Sequence, residues 1–201
     1  MVTAETWMAA GGNILGFIDR LEPTHVPKGF KAVSEQRFLA PRSRATLREH
    51  RLLFGLGSVD ADSTRLSVAH AFILKGFVFD NVLHPMSNIS STAQIAQGTV
   101  VFAGAIVAAN AQVGPLCIVN HNAIIDHDTV LEKGVHAAPG SIVGGGAVVG
   151  QGSMIGSGAV IMQGVRVARG CTIGAGAVVI RDLDPDSRVA GNPARQIRST
   201  H

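Results

Sequence analysis

A six-residue period runs without interruption from Ile89 to Asp184 and constrains the fold more than any other feature. Cut at this period, the segment gives sixteen hexads, and the first residue of each is aliphatic. The fifth residue is small in nearly all hexads, and the fourth is Gly in eight consecutive ones, Gly134 to Gly176. Gly tolerates the positive φ that a tight corner needs. The period predicts a mainly β fold, a parallel β-helix of about five coils with three short faces per coil.

The period also fixes which residues are neighbours, because three hexads make one coil. Residues eighteen apart are then stacked, roughly 4.8 Å apart along the helix axis. Cys117 and Cys171 share one column but lie three coils apart, about 14 Å, which is too far for a disulfide within one chain. Both occupy the small inward position and are predicted to be core residues. A reducing cytoplasm is the expected location.

Composition argues against several kinds of partner. The formal net charge is +3. The sequence contains no block of Lys and Arg with interleaved aromatic residues, which is the pattern typical of nucleic-acid binding. The N-terminal residues lack a signal-peptide pattern, and no apolar run approaches the length of a membrane span. A small anionic ligand fits the mildly basic balance better than DNA does.

The front of the chain lacks the hexad period and is typical of a small α/β layer. Its predicted elements are strands over 13–19 and 50–57, a helix over 63–76 with Asp62 or Ser63 as N-cap, and a last strand over 77–85. Charged residues are common before Pro85 and sparse from there to Arg166. We therefore predict three units: an α/β layer at 1–84, the β-helix at 85–185 and a C-terminal tail at 186–201.

His127 and Asp128 are the third and fourth residues of one hexad, so we expect them at an outward-facing corner. Asp128 occupies the position that Asn110 holds in an equivalent hexad, and a turn role alone would explain it. The fold does not require a His at 127, and its column mate one coil up is Gly145. A ligand could then approach both an imidazole and a backbone N–H, which acyl transfer needs.

Two further histidines open a metal-site alternative. His121 lies one hexad earlier, on a different corner, and His136 ends another hexad. The three histidines, His127 included, do not converge within one chain and could meet at one metal only across a subunit interface. A zinc-dependent hydratase of the carbonic-anhydrase type stays as an alternative, although no metal is expected.

From about residue 14 onward the chain resembles the bacterial sialic acid O-acetyltransferase (NeuD-like) family, which includes the PglD-like N-acetyltransferases of UDP-4-amino-sugars. The segments that carry the resemblance are ILGFID (14–19), LHP (83–85), IIDHDTVLEKGVHAAPGS (124–141), IGSGAVIMQGV (155–165) and VAGNPAR (189–195). The resemblance implies a left-handed helix, acetyl-CoA as co-substrate and a homotrimer with active sites between subunits. It implies acetyl transfer to an amino or hydroxyl group of a sugar, foremost a nucleotide-linked amino sugar for surface glycan synthesis.

The resemblance also implies roles for individual residues. His127 matches the general base, Asp128 the acid that raises its basicity, and Gly145 the amide that holds the thioester carbonyl. Further acetyl-CoA contacts are implied for His136, Ser157 and Ala175, and substrate contacts for Asn120, Asp19 and Gly57. Apolar outward residues expected at the trimer face are Phe102, Ile106, Ile118, Ile124 and Met154. Candidates to meet CoA phosphates are Arg181, Arg188 and Arg195.

The sequence departs from the family before Ile14. The family's first strand and its glycine-rich phosphate turn have no counterpart in residues 1–12, which resemble the end of the first helix. The layer at 1–84 is therefore expected to be an N-terminally truncated, Rossmann-like domain similar to a nucleotide-sugar-binding one. An acyltransferase with a non-nucleotide acceptor stays open as an alternative.

Overall fold

The computed structural model describes residues 2–19, 28–38, 40, 51–57, 61 and 64–197. From residue 88 to 179 it repeats one unit, a two-residue strand followed by a four-residue corner. Within this stretch strands pair in parallel with the strand three elements away, on both sides for the inner strands, as Ile118 does with Val100 and His136. The eighteen-residue register and the parallel β-solenoid are therefore confirmed. The left-handed sense and the number of coils stay predictions.

The solenoid has three faces, which we number in chain order. Face 1 contains β5 (Val82–Leu83), β8 (Val100–Val101), β11 (Ile118–Val119), β14 (His136–Ala137), β17 (Met154–Ile155), β20 (Thr172–Ile173), β22 (Arg188–Ala190) and the antiparallel β23 (Arg195–Gln196). Face 2 contains β6 (Asn88–Ile89), β9 (Ile106–Val107), β12 (Ile124–Ile125), β15 (Ile142–Val143), β18 (Val160–Ile161) and β21 (Val178–Val179). Face 3 contains β7 (Gln94–Ile95), β10 (Gln112–Val113), β13 (Val130–Leu131), β16 (Val148–Val149) and β19 (Arg166–Val167).

From β6 to β22 the second residue of each strand points inward and builds the core together with the small residues of the corners. Cys117 and Cys171 are fully buried free thiols in this core, as predicted. The corners take positive φ as predicted, for example at Asn122 (φ 55°) and Gly146 (φ 66°). Leu116 also takes a positive φ, 59°, which its side chain did not predict.

Leu116 tolerates this backbone conformation because packing and hydrogen bonds from the front of the chain hold it in place. Its side chain is buried in a cluster with Phe79 and Phe72, and Arg65 donates hydrogen bonds to the carbonyl oxygens of Leu116 and Gly134. Burial lowers the pKa of Arg65 to about 10, so the guanidinium stays charged at neutral pH. A buried charge that donates to carbonyls fixes the front layer on the solenoid.

The front layer contains helices α1 (Val2–Ala9), α2 (Glu35–Phe38) and α3 (Thr64–Leu74), and strands β1 (Phe17–Asp19), β2 (Ala32–Ser34), β3 (Arg51–Leu52) and β4 (Val78–Phe79). Strand β1 pairs with β2 and β3 with β4, both in parallel. Helix α3 confirms the predicted helix, with Gly76 (φ 88°) just beyond its end. Its predicted N-cap, Asp62 or Ser63, lies outside the described residues.

The predicted strands of this layer were too long. Only Phe17–Asp19 and Arg51–Leu52 form ladders in the regions predicted as strands over 13–19 and 50–57. The strand predicted over 77–85 is two strands in different sheets, since β4 pairs with β3 while β5 pairs with β8. Between them Asp80 N–H donates to Leu52 O and Val82 N–H to Thr99 O, so the chain changes sheet there. The division into three units stays a prediction.

Three residues expected at a trimer face are instead covered within one chain. Ile118 on face 1 and Phe102, directly after β8, are buried in one cluster against which Trp7 and Leu53 of the front layer pack, and Met154 is also buried. Outward orientation on a solenoid therefore does not mean exposure, because face 1 carries the front layer.

The core contains one buried hydroxyl that makes no hydrogen bond within the described residues, Ser141 Oγ. In equivalent positions Thr129 donates to Gly144 O at 3.2 Å and Ser153 to Ala168 O at 3.1 Å. An unsatisfied buried hydroxyl costs about 1–3 kcal/mol. We expect Ser141→Ala to raise the free energy of unfolding by about 1 kcal/mol and the matched Ser153→Ala to lower it, measured by urea unfolding at one protein concentration. Equal effects of the two changes would contradict this account.

Candidate active site

His127 and Asp128 form a pair at the corner between faces 2 and 3, which we call corner 2–3. His127 Nδ1 lies 2.8 Å from Asp128 Oδ2. The other carboxylate oxygen accepts a hydrogen bond from Asn110 Nδ2, one coil below, at 3.1 Å. Asp128 also has a positive φ of 56°. It is therefore a turn residue and a partner of the imidazole at once.

The neighbouring carboxylates set the protonation of His127. The hydrogen bond to Asp128 and, after it, the charge of Asp126 raise the pKa of His127, while the same hydrogen bond lowers the pKa of Asp128. A carboxylate oxygen accepts from Nδ1–H, so the neutral imidazole presents an unprotonated Nε2. That atom is the candidate base. The His127 side chain is 61% exposed in the single chain.

Gly145 stacks directly on His127. A Cβ at position 145 would lie 2.6 Å from His127 Nε2, so no other residue fits there without moving the ring. Gly146 N–H donates to His127 O at 2.9 Å, which holds the two coils in register. Within the described residues the Gly145 N–H donates to no acceptor. An open imidazole nitrogen and a free amide donor thus lie side by side.

A second cluster lies at the corner between faces 1 and 2, corner 1–2. Asn120 Oδ1 accepts from His121 N–H at 2.8 Å and lies 2.9 Å from His121 Nδ1. Asn120 Nδ2 lies 3.3 Å from Nε2 of the buried His136. The His121 ring stacks on Phe102, with 4.9 Å between ring centroids and 11° between planes.

Sequence reasoning did not join these three residues: it treated His121 only as a possible metal ligand, while the resemblance implied separate contacts for Asn120 and His136. The signal was available, because Phe102 and Asn120 are eighteen residues apart and therefore stacked neighbours. His136 likewise stacks on Ile118, two residues before Asn120. His121 and His136 thus both lie within hydrogen-bond distance of the Asn120 amide, while His127 lies at another corner.

The predicted pantetheine contacts, Ser157 and Ala175, lie above His121 on corner 1–2. Successive corner hydrogen bonds join this column, from Gly140 N–H to His121 O (2.9 Å), from Gly158 N–H to Pro139 O (3.0 Å) and from Gly176 N–H to Ser157 O (2.9 Å). The site residues therefore separate into two columns on the two corners that flank face 2.

Two further predicted site residues, Asp19 and Gly57, belong to the front layer. Asp19 ends β1, and its side chain lies outside the described residues. Gly57 follows β3 and has open space where a Cβ would stand.

Among the described side chains, no three of His, Cys, Asp or Glu come together as a metal site. None of the described helices is both long and apolar enough to cross a membrane.

Comparison with known proteins identifies the repeat. A family model described as bacterial transferase hexapeptide (six repeats) matches residues 128–163 and 146–181. Among curated proteins, no sequence matches significantly. WeeI from Acinetobacter baumannii, at 21% identity, shares the fold with a TM-score of 0.64 over 90% of this chain and 85% of that one.

Two solved structures are more similar. The acetyltransferase domain of PglB from Neisseria gonorrhoeae is 33% identical, with 98% of this chain and 93% of that one covered and a TM-score of 0.87. It has also been solved with acetyl coenzyme A. A mutant of perosamine N-acetyltransferase from Caulobacter crescentus, in complex with CoA and GDP-perosamine, is 30% identical, with 98% and 91% covered and a TM-score of 0.89.

The two carboxylates beside His127 predict an order for its pKa: highest in the wild type, lower in Asp126→Asn and lowest in Asp128→Asn. Asp128→Asn keeps a residue that tolerates positive φ but removes the carboxylate, so the pKa of His127 should fall toward its ordinary value. Asp126→Asn should lower it less, since that group acts through its charge. Histidine NMR titration of the three proteins measures this order. An unchanged His127 titration in Asp128→Asn would contradict it.

Proposed function

The chain belongs to the hexapeptide-repeat acyltransferases, and we propose that it transfers acetyl from acetyl-CoA to the amino group of a nucleotide-linked sugar. The relatives support this choice, because one binds acetyl-CoA and another was solved with CoA and GDP-perosamine. Within this chain, the observation that carries the proposal is His127, oriented by Asp128 and stacked on Gly145. Two buried free thiols fit a reducing cytoplasm as the location.

In the proposed reaction the neutral amine of the sugar attacks the thioester carbonyl carbon. A C–N bond forms, and the Gly145 N–H stabilises the resulting oxyanion. His127 Nε2 takes the proton from the attacking nitrogen, while Asp128 stabilises the imidazolium. The C–S bond then breaks, the proton passes to the CoA thiolate, and His127 is neutral again. No covalent enzyme intermediate is needed, because the thioester is already activated.

We propose that the active assembly is a homotrimer with face 2 toward its axis. Face 2 presents an outward column of apolar side chains in register: Ile106, Ile124, Ile142, Val160 and Val178. Ile106 and Ile142 are each 37% exposed in the single chain. Packing three copies of this column together removes apolar surface from water and closes a symmetric assembly.

This arrangement completes the active site. Around a threefold axis, corner 2–3 of one copy lies beside corner 1–2 of the next, so the His127–Gly145 column faces the column of Ser157 and Ala175. The groove between them takes the pantetheine arm along its length. It also covers His127, which is 61% exposed in the single chain, and a drier site strengthens the electrostatic interactions.

The roles of the other predicted residues are proposed from the family resemblance. Arg181, Arg188 and Arg195 belong to the C-terminal coils and are proposed to meet the CoA phosphates. His136 of face 1 and Asn120 of corner 1–2 are joined by one hydrogen bond. They are proposed to contact acetyl-CoA and the acceptor respectively. The front layer, with Asp19 and Gly57, is proposed to hold the nucleotide of the acceptor.

Removing the base tests the reaction. His127→Ala should lower acetyl transfer by about 10²–10⁴-fold, measured as CoA release from acetyl-CoA with GDP-perosamine or a UDP-linked 4-amino sugar. The matched control is His70→Ala, which removes an exposed histidine of α3 and should leave the rate unchanged. Near-normal transfer by His127→Ala would refute the assignment.

Charge placed on face 2 tests the assembly. Ile142→Glu puts a carboxylate in the middle of the apolar column and should shift the protein from trimer to monomer in sedimentation velocity, with loss of transfer activity. Val148→Glu makes the same change at the equivalent strand position of face 3, beside Arg166, and should leave the trimer intact. A stable trimer of Ile142→Glu would place the interface elsewhere.

A further inference from the structure

The orientation of the Asn120 amide is settled by one backbone contact. His121 N–H lies 2.8 Å from the atom assigned as Asn120 Oδ1, and a backbone N–H can only donate, so that atom is the oxygen. The amide nitrogen therefore faces His136 Nε2 and donates to it at 3.3 Å. No other assignment of the amide satisfies the backbone donor.

This amide fixes the tautomer of His121. Nδ1 of His121 lies 2.9 Å from the same oxygen, which accepts only, so Nδ1 carries the proton. In the neutral ring Nε2 then has a lone pair and accepts hydrogen bonds. The stacking on Phe102, nearly parallel at 11°, sets the plane of the ring. His121 is therefore an oriented acceptor at a partly exposed corner.

The two oriented histidines differ in the group that holds them. His127 is held by the carboxylate of Asp128, which raises its pKa, whereas His121 is held by the neutral amide of Asn120. A neutral partner fixes direction without adding negative charge. His127 is thus equipped to take a proton, and His121 to accept a hydrogen bond.

The register places His121 on the acceptor side of the groove. The thioester site at Gly145 lies one coil above His127, and the pantetheine contacts continue in that direction, at Ser157 and Ala175. His121 belongs to the same coil as His127, on the other corner that flanks face 2. In the proposed trimer it therefore lies across the groove from the proposed base, one coil beyond the proposed thioester site.

We infer that His121 is a specificity-determining residue for the acceptor: its Nε2 accepts a hydrogen bond from a hydroxyl or amino group of the sugar. This inference rests on the proposed function. The contacts of the His121 ring with Asn120 and Phe102 then hold its acceptor atom, Nε2, in one direction. A rigid acceptor loses little entropy when the sugar binds.

The tautomer can be tested without turnover. In long-range ¹H–¹⁵N spectra of histidine-labelled full-length protein, His121 should show a protonated Nδ1 and an unprotonated Nε2, with its resonances identified by their loss in His121→Phe. Asn120→Ala should release this preference. A His121 ring protonated at Nε2 would overturn the inference.

A kinetic comparison tests the binding role. His121→Phe keeps a ring on Phe102 but removes the acceptor atom, and it should raise KM for the nucleotide-linked amino sugar about three- to tenfold, the range of one hydrogen bond. His121→Gln, which restores an oxygen near the Nε2 position, should recover part of this loss. KM for acetyl-CoA and kcat should change little. An unchanged sugar KM in His121→Phe, or an equal rise in KM for acetyl-CoA, would overturn the inference.

These outcomes separate the two proposals. If the wild-type protein acetylates no nucleotide-linked amino sugar, the proposed function fails, and the inferred acceptor role fails with it whatever the tautomer. If the wild-type is active, His127→Ala is inactive and His121→Phe has a normal sugar KM, only the role of His121 fails.

Discussion

The backbone ladder between successive coils is the interaction on which the rest of the structure depends. Each coil donates to and accepts from the coils eighteen residues away, as from Asn120 N–H to Ala137 O at 2.9 Å and Asp126 N–H to Val143 O at 3.0 Å. A one-residue slip would move every inward aliphatic residue outward. The register therefore fixes, to the residue, which side chains stack, including Gly145 on His127 and Asn120 on Phe102.

The chemistry of the corners follows from a conformational requirement. A corner residue with positive φ is most easily Gly, Asn or Asp, and at 128 the choice of Asp also supplies a carboxylate beside an imidazole. The fold requirement and the proposed catalytic one are met by a single side chain. Leu116 is the exception, and it depends on Arg65 and on burial against the front layer.

In the proposed trimer, each chain contributes one half of two neighbouring active sites. Corner 2–3 holds the proposed base, His127, beside the Gly145 amide, whereas corner 1–2 holds the oriented His121 ring and the column of Ser157 and Ala175. Both corners flank face 2, whose apolar column is the proposed contact between copies. The exposure of His127 in one chain, 61%, follows from this division, because the groove exists only between subunits in the proposed trimer.

The sequence by itself determined the solenoid, the stacking register, the inward cysteines and the place of His127 beneath Gly145, because a strict period converts residue number into position. It did not determine the short ladders of the front layer, such as Arg51–Leu52, whose ends depend on which backbone groups find partners. It also did not show that Phe102 and Ile118 are covered, since the packing of the front layer on face 1 is a non-local contact. The period places Asn120 and His136 on neighbouring coils, but the hydrogen bonds that join His121 through Asn120 to His136 were decided by the tertiary structure. Side-chain hydrogen bonds between neighbouring coils depend on ångström-scale direction, which a period of six does not encode.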